Sequence, residues 1–265
     1  MADGNKLHGR VAVVTGSTSG IGLGIAGALA AQGADILLNG FGDAAVVERL
    51  RAEMAERHGV KVAYSPCDVT RPDQISLMLA QARDQLGGLA ILVNNAGVQH
   101  VAPIESFPEE QWDRVIAINL SAAFHAAKAA IPAMKRQGWG RIINIASAHG
   151  LVGSANKSAY VAAKHGLIGL TKVTAIELAN SGITCNAICP GWVLTPLVQR
   201  QLDARAAQEG RDIAEVTHEL LAEKQPMARF TTPEQIGEFA AFLCSEAAAT
   251  ISGAPLSIDG GWVAQ

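Results

Sequence analysis

A short apolar run leads directly into a glycine-rich turn at Val11-Ala12-Val13-Val14-Thr15-Gly16-Ser17-Thr18-Ser19-Gly20-Ile21-Gly22. The β-branched run predicts a strand over 11–15, and the alanine-rich segment after the turn predicts a helix over 21–32. Glycines at such a junction let backbone amides and a helix N-terminus approach a phosphate closely. The glycine spacing is Gly-x3-Gly-x-Gly, and its context of strand, turn and helix favours a dinucleotide site.

Outward from this stretch, short β-branched runs alternate with longer amphipathic segments along the whole chain. Strands are predicted over 11–15, 35–39, 61–65, 90–94, 141–146, 183–188 and 256–258, and long helices over 21–32, 111–136 and 159–180. This alternation is typical of a parallel sheet with helices on both faces. The sequence therefore predicts an α/β fold, a doubly wound parallel sheet of the Rossmann-like kind, whose ligands bind beyond the carboxyl ends of the strands.

The chain of 265 residues contains no linker, fixed-period repeat or charge block that would divide it, so we expect one domain over 1–265. The alternation breaks at about 190–225, where Pro190-Gly191 begins a polar helical stretch. Its position after a strand predicts a helical flap over the active-site cleft. A longer surface connection is the alternative.

Charge and composition argue against a polyanionic partner. The net charge is −3, from 21 basic and 24 acidic residues that are spread along the sequence. This distribution offers no electrostatic footprint for a nucleic acid or an anionic membrane surface. The first residues are polar, and no uninterrupted apolar run approaches the ~20 residues that span a bilayer. We expect a soluble, cytoplasmic protein.

The four cysteines are too sparse for a disulfide framework in a chain of this length. Cys185 and Cys189 have a spacing that raises the question of a metal site. They lie in an apolar, strand-like run with no Cys or His pair nearby, so we expect buried thiols and no metal.

A possible acid–base pair occurs at Tyr160-Val161-Ala162-Ala163-Lys164. Side chains at positions i and i+4 of a helix project from the same face, so an ammonium can lie near the phenol. A tyrosine normally titrates near ~10, and a neighbouring positive charge favours its phenolate. The pair is therefore a candidate for proton transfer. A half-exposed tyrosine and a solvated lysine are the alternative.

Several motifs in a fixed order carry a family resemblance: the glycine-rich turn, Asn94-Asn95-Ala96-Gly97, Asn119, Ser147, Tyr160-x3-Lys164 and Pro190-Gly191. From about Leu7 to Trp262 the chain closely resembles the short-chain dehydrogenase/reductase family. The resemblance implies hydride transfer between an alcohol and a bound nicotinamide dinucleotide, with four catalytic residues, namely Asn119, Ser147, Tyr160 and Lys164.

The resemblance also implies a role for each of these four residues. Tyr160 exchanges a proton with the substrate oxygen, and Ser147 hydrogen-bonds that oxygen. Lys164 lowers the pKa of Tyr160 and contacts the nicotinamide ribose, and Asn119 holds a water that links Lys164 to solvent. The alternatives are a strand-end hydroxyl that caps a turn for Ser147 and a polar residue at a helix irregularity for Asn119.

The dinucleotide-binding residues follow from the same resemblance. It implies that Asn95 and Gly97 lie near the adenosine ribose, that Asp68 and Val69 lie beside the adenine, and that Thr195 lies near the nicotinamide amide. Asp68 could instead form a turn or helix cap ahead of Thr70, and Thr195 could start a helix before Pro196. The full set is Gly16, Thr18, Ser19, Gly20, Ile21, Gly22, Phe41, Asp68, Val69, Asn95, Ala96, Gly97, Tyr160, Lys164, Pro190, Gly191, Val193 and Thr195.

The second predicted strand ends in Leu38-Asn39-Gly40-Phe41. Family members that bind NAD usually have an acidic residue near Gly40 to bond the ribose hydroxyls, and this acid is missing. An arginine there, or a basic residue in the glycine-rich turn, could neutralise the additional phosphate of NADP, and both are missing too. Because leaving that phosphate unpaired would be costly, we expect NAD.

Residues around the catalytic group suit a small anionic substrate, because a lysine, a histidine and two amides can bind a carboxylate and a tryptophan can exclude water. The set is Gln99, Ser147, His149, Lys157, Tyr160, Trp192 and Gln201. Together with Leu37–Gly42, it is similar to a bacterial subgroup of the family that interconverts (R)-3-hydroxybutyrate and acetoacetate with NAD. A small 3-hydroxy or 3-keto acid is the implied substrate. Solvated loop or packing residues are the alternative.

Two other functions stay open at this point. The first is an NADPH-dependent 3-oxoacyl thioester reductase with the same catalytic group, which would need a basic surface for its carrier. The second is a non-catalytic dinucleotide-binding sensor or scaffold on the same fold. Family members are commonly tetramers, and the resemblance therefore also implies a homotetramer.

Overall fold

Seven strands form one parallel sheet in the computed structural model, which describes residues 6–264 except for the side chain of Leu197. The sheet has the order β3-β2-β1-β4-β5-β6-β7, and every neighbouring pair is parallel. The strands are β1 (Val11–Val14), β2 (Asp35–Asn39), β3 (Val62–Ser65), β4 (Ile91–Asn94), β5 (Gly140–Ile145), β6 (Ile183–Pro190) and β7 (Pro255–Ile258). The predicted doubly wound parallel sheet is confirmed.

Helices cover both faces of this sheet. They are α1 (Gly20–Ala31), α2 (Ala44–His58), α3 (Pro72–Leu86), α4 (Glu109–Ile116), α5 (Ala122–Gln137), α6 (Ser158–Glu177), α7 (Pro196–Glu209), α8 (Ile213–Ala222) and α9 (Pro233–Leu243). One apolar cluster joins α1 and α9 to the sheet through Ile25, Leu29 and Ile236. A second joins α3 and α5 to the opposite face, with Leu79 and Met134 at its centre. Strands buried on both faces explain the nearly continuous apolar runs in the sequence.

Small departures from the predicted bounds have local causes. The long helix predicted over 111–136 is interrupted by a π-helical turn over Ala117–Ser121. Strand β6 continues to Pro190 because its last residues pair with β7 up to Ile258. The segment after β6 contains the two helices α7 and α8, which confirms its helical character.

The sheet order reverses beside β1, which pairs with β2 on one side and with β4 on the other. Val14 is in register with Leu38 of β2 and with Val93 of β4. The glycine-rich turn, the Gly40 turn and the Asn95 loop therefore leave the sheet side by side. Ligands of doubly wound sheets bind in a crevice at this position.

The continuous helical stretch Glu109–Gln137 has 29 residues and contains an 18-residue window with a mean hydropathy of 1.3, so by length and composition this window could cross a membrane. Its alanine-rich face lies in the core, where Ala126, Ala130 and Met134 are buried against the sheet. Packing against the sheet therefore accounts for the apolar composition of this helix.

All four cysteines are buried with free thiols, as expected for Cys185 and Cys189. Burial raises the pKa of Cys185 to about 12 and that of Cys189 to about 11. Within residues 6–264, no cluster of His, Cys, Asp and Glu side chains is arranged to hold a metal ion. The expectation of no metal stays a prediction.

Candidate active site

The glycine-rich turn between β1 and α1 has the backbone geometry of a phosphate cradle. Gly16 and Gly20 have φ angles of +62° and +56°, which favour glycine. A Cβ atom at Gly22 would lie 2.3 Å from the carbonyl oxygen of Gly16. Helix α1 begins at Gly20, and its N-cap Ser19 makes no side-chain cap hydrogen bond among the described residues. The amides of its first turn are therefore available to an anion, and the turn fits a pyrophosphate.

Two asparagines hold this turn in place. The amide nitrogen of Asn95 donates to the carbonyl oxygens of Thr15 (2.8 Å) and Gly16 (3.0 Å). On the other side, Oδ1 of Asn39 accepts from the backbone N–H of Gly16 at 3.2 Å. The Nδ2 group of Asn39 donates to the carbonyl oxygens of Ser65 (3.1 Å) and Cys67 (2.9 Å). Asn95 therefore shapes the turn, and its contact with an adenosine ribose stays a prediction.

The Gly40 turn has no room for the acidic residue that was expected at the end of β2. A Cβ atom at Gly40 would lie 2.6 Å from Oγ1 of Thr18. That hydroxyl donates to the carbonyl oxygen of Phe41 at 3.1 Å, and the Tyr64 hydroxyl donates to the carbonyl oxygen of Gly40 at 2.7 Å. The Phe41 ring is 70% exposed at the mouth of this crevice. A side chain at position 40 would displace Thr18, which accounts for glycine there.

Two predicted cofactor residues also have the local roles that were considered as alternatives. Oδ1 of Asp68 accepts from both the backbone N–H and the hydroxyl of Thr70, at 2.9 and 2.8 Å. Thr195 is the N-cap of α7, where its hydroxyl accepts from the N–H of Val198. The methyl group of Thr195 would lie 3.4 Å from a Cβ atom at Gly20. Helix α7 therefore starts against the glycine-rich turn.

Helix α6 brings Tyr160 and Lys164 together at the carboxyl end of β5. The ammonium nitrogen of Lys164 lies 5.6 Å from the centroid of the Tyr160 ring. It donates a hydrogen bond of 2.7 Å to the carbonyl oxygen of Ile145 at the end of β5. Lys164 is buried, with 4% of its surface exposed. The predicted pairing of a phenol with an ammonium on one helix face is present.

Burial dominates the protonation of this pair. It lowers the pKa of Lys164 to about 8, and the nearby Cys189 thiol opposes the shift. Burial raises the pKa of Tyr160 above its usual value, whereas a hydrogen bond with the Ser147 side chain lowers it. Desolvation of the phenolate is thus the largest influence on the pKa of Tyr160 in the chain alone. The expectation that Lys164 lowers the pKa of Tyr160 stays a prediction.

Ser147 follows β5 directly and lies at the start of a short 3₁₀ turn over Ala148–Gly150. Its hydroxyl oxygen accepts from the backbone N–H of His149 at 3.1 Å. Ser147 thus caps this turn, as its alternative role predicted, and also lies beside Tyr160. A hydroxyl can still donate its proton while it accepts, so Ser147 remains able to hydrogen-bond a substrate oxygen.

Asn119 lies in the π-helical turn between α4 and α5, as the helix-irregularity alternative expected. Its amide accepts from the N–H of Val98 and donates to the carbonyl oxygen of Val98, both at 2.9 Å. Asn119, Lys164 and Thr15 also line a small cavity of about 10 Å³. A cavity of this size holds about one water molecule. The water-holding role of Asn119 stays a prediction that this cavity can accommodate.

A chain of aromatic rings begins at Tyr160. The His149 ring packs edge-to-face against Tyr160, with centroids 6.1 Å apart, and against Trp262 at 5.0 Å. The Trp262 ring lies 6.2 Å from that of Trp192, and Nζ of Lys157 lies 5.9 Å from the Trp192 centroid. One amine, one imidazole and two indole rings therefore lie together beside Tyr160 and form the walls of a candidate substrate pocket.

The imidazole of this pocket is neutral at physiological pH. Burial lowers the pKa of His149 to about 4, and the positive charges of Lys157 and Lys224 add to the shift. Burial also lowers the pKa of Lys157, with Glu223 opposing the shift and Lys224 adding to it. His149 can therefore act as a neutral hydrogen-bonding group while Lys157 supplies the positive charge.

Comparison with known proteins shows the family of this chain. Residues 16–263 match the family described as Enoyl-(Acyl carrier protein) reductase. The chain is 58% identical to the D-beta-hydroxybutyrate dehydrogenase of Cupriavidus necator over 98% of this chain and 100% of the relative. It is 54% identical to the enzyme of the same name from Rhizobium meliloti, over 97% and 99% of the two chains. The chain belongs to the short-chain dehydrogenase/reductase family. It is an oxidoreductase.

Solved structures of short-chain dehydrogenases/reductases share the whole fold. The L-sorbose reductase of Gluconobacter frateurii, solved with NADPH and L-sorbose, has a TM-score of 0.94 and 32% identity, with 100% of both chains covered. A putative gluconate dehydrogenase from Agrobacterium tumefaciens has a TM-score of 0.88 and 33% identity, also with full coverage of both chains. The family to which this chain belongs comprises dehydrogenases and reductases that bind a nicotinamide dinucleotide.

Two predicted substrate residues of this short-chain dehydrogenase/reductase, Gln99 and Gln201, are glutamines with exposed side chains. Within residues 6–264, no side-chain hydrogen bond joins either of them to His149 or Lys157. Gln99 follows β4, and Gln201 lies on α7. Their contact with a substrate stays a prediction.

Trp262 was not among the residues predicted from the sequence to bind the substrate. Trp262 follows β7, and the sheet brings it to the pocket because β7 pairs with β6 as far as Pro190 and Ile258. An aromatic residue just after the last predicted strand was the available signal, since ligands of this fold bind beyond the strand ends.

Proposed function

We propose that this protein oxidises (R)-3-hydroxybutyrate to acetoacetate with NAD and catalyses the reverse reduction. The observation that carries the proposal is the contact of neutral His149 with both Tyr160 and Trp262, beside the amine of Lys157. The similarity to two D-beta-hydroxybutyrate dehydrogenases over nearly the full length supports it.

The proton chemistry belongs to the residues around Tyr160. A bound nicotinamide would accept hydride from the alcohol carbon, or return it to the ketone. Tyr160 takes the hydroxyl proton as oxidation proceeds, and Ser147 orients the same oxygen. Tyr160 must be a phenolate before it takes this proton, and it becomes the neutral phenol afterwards. The ammonium of Lys164, 5.6 Å from the Tyr160 ring centroid, favours that phenolate. Because burial raises the pKa of Tyr160, this positive charge is needed for the tyrosine to act as a base.

The pocket suits a short carboxylic acid. Lys157 provides a charge-assisted hydrogen bond to the carboxylate, and His149 adds a neutral donor or acceptor beside it. The indole rings of Trp192 and Trp262, 6.2 Å apart, cover an apolar methyl end and keep water from the reacting carbon. These groups favour a small free acid.

We infer NAD as the cofactor, bound by the glycine-rich turn, the Gly40 turn and the Asn95 loop. No lysine or arginine occurs between Thr15 and Gly42, so this part of the site lacks a partner for the additional phosphate of NADP. The L-sorbose reductase of similar structure was solved with NADPH. Kinetics with each cofactor therefore test the choice between NAD and NADP. We expect kcat/KM to be far higher with NAD than with NADP. Equal values would contradict the assignment.

We also propose a soluble, cytoplasmic homotetramer, as the family resemblance implies. Helices α5 and α6 expose Phe124 (46%), Val173 (53%) and Ile176 (78%) to solvent. Exposed apolar side chains on neighbouring helices are common at contacts between copies of a chain. Sedimentation of the purified protein tests this state, and a monomer at micromolar concentration would contradict it.

The second candidate is the NADPH-dependent 3-oxoacyl thioester reductase. It is retained because the matched family description names a reductase that acts on an acyl group carried by a protein. The two candidates differ in cofactor and in the size of the substrate. The test is a comparison of free acetoacetate plus NADH with an acetoacetyl thioester plus NADPH, at equal enzyme concentration. The proposal predicts rapid turnover of the free acid. Turnover of the thioester with no response to acetoacetate would contradict it.

A further inference from the structure

Gln225 is a buried amide that joins the two ends of the flap, the segment over 190–225. Its side chain is fully buried, with 0% exposed. The amide oxygen accepts from the backbone N–H of Trp192, where the chain enters the flap. The amide nitrogen donates to the carbonyl oxygen of Arg229 at 2.8 Å, where the chain returns toward α9. A single side chain thus spans both ends of the segment.

The same two ends also pair through their backbones. The N–H of Thr231 donates to the carbonyl oxygen of Trp192, and the N–H of Leu194 donates to the carbonyl oxygen of Thr231, both at 3.0 Å. The pairing is a single parallel bridge between Val193 and Thr231. One bridge is weak by itself, so the amide of Gln225 carries a large share of this connection.

Gln225 also contacts the segment that carries Trp262. A Cβ atom at Gly260 would lie 3.1 Å from Nε2 of Gln225, and one at Gly191 would lie 2.5 Å from its Oε1. The backbone N–H of Met227 donates to the carbonyl oxygen of Gly260 at 3.1 Å. Two glycines therefore make room for one amide, which lies between the backbone segments of Trp192 and Trp262.

The turn after Gln225 is tightly constrained. The N–H of Ala228 donates to the carbonyl oxygen of Gln225 at 2.8 Å, and Ala228 has a left-handed φ of +45°. A non-glycine residue keeps such a conformation only where its surroundings determine it. The turn therefore holds Gln225 in one place relative to the pocket.

We propose that Gln225 is a positioning residue that fixes the two indole walls of the substrate pocket. Its bond to the backbone of Trp192 sets the direction of that ring, whose Nε1 is buried with no hydrogen-bond partner among the described residues. Its contact with Gly260 sets the position of Trp262 two residues later. The inference rests on the proposed function, because the pocket that Gln225 supports is the one assigned to the hydroxy acid.

The test compares Gln225→Met and Gln225→Asn with the wild-type protein. Met keeps the length of the side chain and removes both hydrogen bonds, whereas Asn keeps the amide and is too short to span both partners. We expect each variant to raise the KM for (R)-3-hydroxybutyrate roughly tenfold or more, the effect of about one lost hydrogen bond. The dissociation constant for NAD should stay within about twofold of wild type, because the backbone of Gly191 stays bonded to Ile258 and that of Leu194 to Thr231 without the amide of Gln225.

Gln208→Glu is the control for an amide substitution in the flap, because Gln208 is exposed on α7; it should keep the wild-type KM. If Gln225→Met does not fold, Gln225→Asn still decides the question. A folded Gln225 variant with wild-type KM would overturn the proposal, as would a loss of NAD affinity equal to the rise in KM. Absence of turnover in the wild-type protein would instead refute the proposed function.

Discussion

The ammonium of Lys164 donates to the carbonyl oxygen of Ile145 at 2.7 Å, and not to the phenol of its helical neighbour Tyr160. Lys164 therefore acts on Tyr160 through its positive charge at 5.6 Å from the ring centroid. The anchor at Ile145 fixes this charge at the end of β5, where the substrate oxygen would meet Ser147. Geometry of this kind favours a phenolate without consuming its hydrogen-bonding capacity.

Lys157 is predicted to bind the substrate carboxylate. Because a hydrogen bond to a charged group contributes about 1.5–3 kcal/mol, Lys157→Ala should raise the KM for (R)-3-hydroxybutyrate roughly 10- to 100-fold. The dissociation constant for NAD should change little. Steady-state kinetics and equilibrium NAD binding check both values. The control is Lys61→Ala, since Lys61 is exposed and directly precedes the distant edge strand β3. Equal losses in both quantities would mean that Lys157 does not bind the carboxylate.

His149 is predicted to make stability depend on pH. Its pKa is about 4 in the folded chain, against 6.5 for an unperturbed histidine. The folded state therefore binds fewer protons than the unfolded state in this range, so the contribution is present above pH 6.5 and is lost as the pH falls through about 4. Wild type should lose about 3 kcal/mol more than His149→Gln between these values. Urea unfolding at both pH values measures this difference, and parallel losses would contradict the buried neutral imidazole.

Asn39 is predicted to stabilise the glycine-rich turn of the dinucleotide site through its hydrogen bond with Gly16. Asn39→Asp keeps an acceptor for Gly16 and removes the donors to the carbonyl oxygens of Ser65 and Cys67. Each unsatisfied buried carbonyl costs about 1–3 kcal/mol, so unfolding should become easier by roughly 2 kcal/mol or more. NAD affinity should fall as well. The KM for the hydroxy acid at saturating NAD should stay at the wild-type value.

Exposed Asn180 provides the matched control for that substitution. Asn180→Asp should leave both the free energy of unfolding and NAD affinity unchanged. Thermal unfolding and equilibrium titration with NAD measure the two effects. An Asn39→Asp protein that binds NAD like wild type would show that the amide does not shape the turn.

Most of the fold could be predicted from local patterns, because each buried parallel strand is a short β-branched run. The strand ends then placed Ser147 and Asn95 at one edge of the sheet, and the helical spacing placed Tyr160 beside Lys164. Trp262 and Gln225 could not be found in this way, because they reach the pocket only through the pairing of β7 with β6 and through the return of the flap. Long-range contacts of this kind leave no periodic signal.

The protonation of Tyr160 was also beyond local reasoning. Spacing of i and i+4 correctly puts Tyr160 and Lys164 on one face, but it says nothing about burial. Desolvation raises the pKa of the phenol and lowers that of the ammonium. The partner that anchors Lys164 is the carbonyl oxygen of Ile145, which lies 19 positions earlier in the sequence.

The central claim is that Tyr160 transfers the proton in the oxidation of one enantiomer of 3-hydroxybutyrate. The most direct measurement follows NADH formation by wild type and Tyr160→Phe with each enantiomer at saturating NAD. We predict rapid turnover of the (R)-enantiomer alone by wild type, and a fall in kcat of roughly 10²- to 10⁴-fold in the variant with NAD binding retained. Equal rates with both enantiomers, or a variant as fast as wild type, would contradict the account.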